Sequence, residues 1–200
     1  MKTKHLIRFA WVLVGILLIA AMIRIAYVNI TAPQLEIENY KLNEWVNLDG
    51  SFFRSNEEKT EGYSVKLTNY KVISREDYLK KYNLEDTSVS EENSFSYFME
   101  LTVSVTNDYN EDGKVMIADW VLVGKNGDFV TTMDPQLLMD TDDRINDYLS
   151  SITTASGKEI SLKLAYPMTG MKSEEVVKKN AVYKLAVSKY PVRKYIYLET

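Results

Sequence analysis

The sharpest chemical pattern in this 200-residue chain is Asp108-Tyr-Asn110-Glu-Asp112-Gly113, with Asp119 following at the twelfth position. Carboxylate and amide oxygens at that spacing, with a glycine at the sixth place, are how a calcium loop surrounds a hard cation. An EF-hand needs helices on both sides, and a dockerin-like module carries a second copy. Here the motif follows an alternating apolar and polar run, YFMELTVSVTN, and occurs once. Asn, Asp and Gly are also what a turn between two strands uses to reach left-handed conformations. We therefore expect a hairpin turn, with Asp108, Asn110, Asp112 and Asp119 held as the alternative calcium set and no metal otherwise assigned.

Other candidates for chemistry have a simpler use. Asp140, Asp142, Asp143 and Asp147 fit the solvated side and first turn of a helix. The only histidine is His5, which leaves the rest of the chain no imidazole for a Ser-His-Asp triad or a zinc site. Cysteine is absent, which excludes disulfides, thiolate metal sites and a Cys nucleophile. Neither a Ser-x-x-Lys pair nor a Gly-rich phosphate loop occurs, and Gly124 and Gly127 read as a turn. Paired carboxylates of the glycosidase kind cannot be picked from 28 acidic residues by spacing alone. No catalytic residue and no cofactor is expected. Among 14 tyrosines, Tyr183, Tyr190, Tyr195 and Tyr197 cluster near the C-terminus, where rings could form a protein or glycan contact or pack as ordinary half-buried strand residues.

The elements that must position these groups are mostly strands. Alternation marks 63–73, 97–107 and 115–124, then 159–166, 182–190 and 194–199, with a weaker candidate at 44–48. Seven strands so spaced, bounded by Gly, Pro, Asn, Asp or Ser, predict a β-sandwich. Three short helices are expected between them. Ser74 caps the first, with Asp77 three residues on. Asp134-Pro135 starts the second, running through Leu138 toward Ile145, Leu149 and Ile152. Ser173 to Lys179 forms the third, acids first and lysines last. Residues 85–94 read as a loop.

A different regime rules the N-terminus. Phe9 to Ile23 carries no charge, and 6–28 is a 23-residue apolar span broken only by Arg8 and Arg24 near its ends. At 1.5 Å per residue it reaches about 34 Å, enough to cross a bilayer, with Trp11 and Tyr27 near the interfaces. Lys2, Lys4 and Arg8 precede it, so the positive-inside rule places residues 1–5 in the cytoplasm and the bulk outside. Arg24 and the lack of an A-x-A site favour an uncleaved anchor over a signal peptide. A linker, 29–36, then leads to an extracellular domain, 37–200.

Charge divides the same way. Beyond residue 32 stand 20 basic residues against 28 acidic ones, a net charge of −8. Such a domain repels phosphate backbones, which argues against a nucleic-acid partner.

Taken together, Thr31-Ala32-Pro33, Glu44-Trp45-Val46, Phe52-Phe53, Gly62-Tyr63-Ser64-Val65, Glu76-Asp77-Tyr78-Leu79, LTVSVTN at 101–107 and WVLVGKNG at 120–127 resemble an uncharacterised group of Gram-positive bacterial proteins. That group is a domain of unknown function with one N-terminal anchor and an immunoglobulin-like β-sandwich outside. The resemblance implies a mainly β fold and a location; it brings no activity and no site residues, and the chain lacks the Cys-Trp-Cys core of antibody domains. The expected function is a membrane-anchored, non-enzymatic binding or accessory module of the cell envelope. Its partners would be the lipid bilayer, through the N-terminal helix, and an envelope or membrane protein. The alternatives are a carboxylate-dependent cell-wall hydrolase and a calcium-stabilised adhesion domain.

Overall fold

A computed structural model describes residues 2–32, 35–85, 95–124, 127–145, 151–171, 175, 177 and 183–198. The chain divides into two compact units, Met1–Gln34 and Leu35–Thr200.

The first unit is one helix, α1 (Lys2–Thr31), of which Trp11–Thr31 is long and apolar enough to cross a membrane. It outruns the expected span at both ends. Nothing between 29 and 31 breaks it, and the Thr31 hydroxyl back-bonds to the Tyr27 carbonyl at 2.7 Å, so the first residues of the expected linker are helical.

In the second unit, two sheets pack into a β-sandwich. One has the order β1 (Glu36–Tyr40), β11 (Val192–Tyr197), β10 (Lys184–Ala186), β6 (Val121–Val123), β7 (Val130–Thr132); the other runs β2 (Val46–Asn47), β3 (Tyr63–Ser74), β4 (Tyr97–Asn107), β9 (Lys158–Pro167). A short pair, β5 (Val115–Met116) with β8 (Ser151–Ile152), stands apart. Only β1 and β11 run parallel among these pairs.

Period-two alternation explains the core. On β4, Met99, Leu101, Val103 and Val105 face the opposite sheet and join one cluster with Val65, Leu67, Leu122, Leu162, Leu185 and Ile196. The alternate residues of β4 face outward, and α2 (Arg75–Tyr82) covers the first of them: Tyr78 and Leu79 pack with Phe95, Phe98, Leu137 and Ala165 in a second cluster. Ser74 caps α2 through Asp77, as its spacing predicts. On its outward side β4 keeps polar residues, Glu100, Thr102, Ser104 and Thr106, in alternation with that core row.

The strand order is that of an immunoglobulin sandwich. β3, β4 and β9 take the places of strands A, B and E, while β6, β10 and β11 take C, F and G and β7 adds C′. Two hallmarks of that fold survive in a chain without cysteine. Trp120, 1% exposed, enters β6 in the place of the buried strand-C tryptophan. Tyr183 stands at the start of β10 with its hydroxyl 3.4 Å from the Val177 carbonyl, six residues upstream, as in a tyrosine corner. Leu185, two residues on, occupies the place of the second cysteine. Aliphatic packing replaces the disulfide.

Several boundaries depart from expectation. The run 115–124 breaks into β5, a 3₁₀ turn at Ile117–Asp119 and β6, because the chain changes sheets there and turns Trp120 inward. The strand expected at 182–190 is only Lys184–Ala186, and β1 was not legible because Glu36 and Glu38 mask its alternation. α3 (Pro135–Thr141) has the expected Asp134 cap but stops at Asp142, whose backbone N–H closes on Leu138; Ile152 lies instead on β8. The helix expected at 173–179 falls largely outside the described residues, with Glu175 and Val177 helical, and so do 86–94 of the expected loop.

Candidate functional site

The calcium motif folds as a turn held by its own amide. Asn110 Nδ2 donates to the carbonyls of Lys59 and Glu61, each at 2.7 Å, and its Oδ1 accepts from the backbone of Asp112 and Gly113 at 3.0 and 2.7 Å. The Asn107 side chain accepts from Asn110 N–H at 2.8 Å. Asp119, on the 3₁₀ turn, is bonded to Arg54 at 2.6 Å instead of turning to the loop. The four expected ligands therefore do not share one centre, and among the described residues no group of three or more His, Cys, Asp or Glu is placed to hold a metal ion. In the second acidic cluster, Asp142 pairs with Arg144, whose hydrogen bond holds that carboxyl below its usual range, and Asp140 accepts from Gln136 at 2.8 Å. Asp143 sits in a turn, and Asp147 lies outside the described residues.

Two buried charges are neutralised within the fold. Glu100, on the outward side of β4, receives Lys81 at 2.7 Å and the Tyr82 hydroxyl at 2.9 Å, with Lys71 at 3.4 Å. Burial pushes this carboxyl up, but the hydrogen bonds and charges of those partners outweigh it and leave it below the usual carboxylate range. Lys194 points inward from the start of β11, donates to the Asn47 carbonyl at 2.7 Å and pairs with Glu38 at 3.1 Å, tying the two sheets. Asp49, 4.0 Å from Lys194, is a second carboxylate of that cluster.

The surface that stands out is the outer face of the five-stranded sheet. The register places Asn39, Tyr195, Ala186, Val121 and Thr132 side by side in one row, and Tyr197, Lys184, Val123 and Val130 in the next; Ile37 and Arg193 continue it. No carboxylate occupies any of these strand positions, although the chain beyond residue 32 is acidic. Val130 is 59% exposed at the sheet edge and Ile37 54% at the other.

Loops deepen this face into a groove of about 350 Å³. Residues 51–60 supply Phe53, and their shape follows from Glu58, one of whose oxygens accepts from the backbone N–H of Phe53, Arg54 and Ser55 at 3.1, 2.8 and 3.3 Å. Phe52 N–H donates to the Tyr190 carbonyl at 2.7 Å and Lys189 N–H returns to Phe52 at 2.8 Å, which docks the loop on the β10–β11 turn. The Arg54–Asp119 pair fixes its far side next to β6. Floor and rim differ in chemistry. Val121, Val123 and Tyr195 make an apolar floor, and Lys189 and Arg193 stand at the rim.

Of the expected tyrosines, Tyr183 is core and the other three lie on or beside this face. Lys184 sits 4.0 Å over the Tyr195 ring, and Lys189 lies 5.2 Å from that of Tyr190. Phe53, Arg193 and the valines of β6 were missed by sequence reasoning. The available signal was that the alternate residues of these strands are never acidic and, apart from Asn39 and Thr132, are apolar, aromatic or basic. Two further grooves, beside α2 and beside Tyr183, have Glu76 and Asp128 respectively as the carboxylate among their described lining residues.

Comparison with known proteins agrees with a domain whose role is open. The family model "Domain of unknown function (DUF5028)" matches residues 37–194. No curated protein matches the sequence. Among solved structures, the yjhA protein from Bacillus subtilis is similar at 10% identity and a TM-score of 0.43, covering 80% of this chain and 99% of its own. An uncharacterised β-sandwich protein from Clostridium difficile is similar at 11% identity and a TM-score of 0.40, with 84% and 99% covered.

Proposed function

The chain belongs to the DUF5028 family of unknown function, and from that premise we propose that it is a membrane-anchored, non-enzymatic binding module of the cell envelope that engages a protein partner through the outer face of its five-stranded sheet. The observation that carries this reading is that face itself: free of carboxylates at its strand positions, mostly apolar or basic, and hollowed into a groove between exposed sheet edges, with Val130 59% and Ile37 54% exposed. An apolar groove on a sheet face with exposed apolar edges suits contact with a partner.

The anchor is α1, with its lysine-rich start in the cytoplasm and the sandwich outside. Two observations support a binding role over hydrolysis. Among the described residues Glu76 and Asp128 stand singly in their grooves, and the buried Glu100 is paired with Lys81 and Lys71.

The test is affinity purification of the tagged full-length chain from native membranes, beside a Val123→Asp variant. Val123 is half-buried on the outer face, so the change alters the surface at little cost to the fold. A protein retained by the wild type and lost from the variant supports the reading. Equal retention by both contradicts it.

A further inference from the structure

The groove's chemistry also selects its occupant. Resting on the reading that this face is the binding surface, we infer that the groove takes a segment of a partner protein in which aliphatic or aromatic side chains alternate with Asp or Glu.

The argument is one of complementary charge and shape. Lys189 and Arg193 line the groove and Lys184 stands beside Val123 on the same face, and none of the three forms an ion pair with a carboxylate among the described residues. Lys184 and Lys189 rest over tyrosine rings instead, an arrangement that holds a cation near the surface without neutralising it. Arg54, Lys81 and Lys194, by contrast, are held by Asp119, Glu100 and Glu38. Two cations at the rim of an apolar floor and a third beside it, with no carboxylate at the strand positions of the face, leave a local positive field that an acidic ligand would satisfy.

Shape decides between the classes of anionic partner. Val121, Val123 and Tyr195 line a concavity, which receives side chains; a membrane-inserting patch would present protruding ones. Lipid-binding clusters gather about four to eight Lys or Arg, more than this groove has. A second copy docking by the same face would bring Lys184 and Arg193 against themselves, an arrangement that like charge disfavours. The sheet edge at β7 adds a further feature. It pairs with β6 on one side, and Val130 and Thr132 flank the groove there, so an extended segment can lie along the edge while its alternate side chains enter the floor.

Selection of a random peptide library on phage, against the full-length chain in phosphatidylcholine nanodiscs, tests the assignment. Enriched peptides should carry Asp or Glu beside Leu, Ile, Val or Phe and should weaken with added salt. Their affinity should fall about tenfold on Arg193→Glu, less on Arg193→Gln, and stay unchanged on Lys163→Glu, a change on the other sheet. Thermal unfolding of each variant verifies that it is folded. Enrichment of basic or uncharged peptides, or equal binding to Arg193→Glu, would overturn the inference. So would binding of phosphatidylglycerol vesicles by the wild type without any peptide enriched, which would make a lipid the occupant. If peptide selection fails while Val123→Asp still loses its co-purifying protein, the occupant's chemistry is wrong and the interface stands; failure of both removes the interface as well.

Discussion

Glu58 and Glu100 show how single carboxylates are spent on architecture in this chain. Glu58 is buried and serves three backbone N–H groups of the loop that presents Phe53, so it acts on the groove without touching it. Glu100 is buried under α2 against Lys81, Tyr82 and Lys71. Its folded-state pKa lies below the ordinary 4.5, so its contribution to stability is complete above that value and drains away as pH falls through the lowered one. Replacing Glu100 with Gln should cost about 2–4 kcal/mol at neutral pH, since two lysines lose their buried partner. The gap between wild type and variant should narrow as unfolding is measured from pH 6 down to about pH 3; a gap independent of pH would remove the ion-pair explanation. None of this was legible from spacing. Acids that matter to the fold are indistinguishable in sequence from those that face water, because their partners come from distant strands.

At the scale of elements, the turn after β4 was legible and its alternative use was not. Asn, Asp and Gly announced a tight reversal, but the role of Asn110 as clamp on Lys59 and Glu61 depends on a loop about fifty positions earlier. Gly113 is needed there for close approach: a Cβ on it would come within 2.2 Å of the Lys59 carbonyl oxygen. Gly113→Ala should therefore destabilise the domain by about 2 kcal/mol or more in chemical denaturation, with an unchanged midpoint showing that the loops can part freely. Added calcium should leave the thermal midpoint of the wild type where it was, because Asn110 is committed and Asp119 faces Arg54; a rise would restore the calcium loop. The long strands β3, β4 and β9 could be read from alternation because one face of each meets a continuous core. Short strands such as β6 and β10 were blurred into longer runs, since residues entering and leaving a three-residue strand keep the same apolar character.

For the molecule as a whole, the class and the long strands followed from alternation punctuated by turns, whereas the short strands β1, β5, β7 and β8 and the pairing did not. Strand order became visible only with the register, and with it the immunoglobulin arrangement, in which Trp120 and Tyr183 keep their places and Leu185 stands for a cysteine. The candidate face shares that history. Its residues come from five strands and two loops, so no local window contains it, and each strand contributes only one to three outward side chains. What unifies them is an absence of acids that registers only once the strands are laid side by side. The central claim is that this face is covered by a partner protein in the envelope. Incorporating a photo-crosslinking amino acid at position 123, and separately at position 163 on the other sheet, and illuminating intact cells tests that claim most directly. The account predicts a discrete adduct from position 123 and none from position 163. Adducts from neither position, or the same adducts from both, would contradict it.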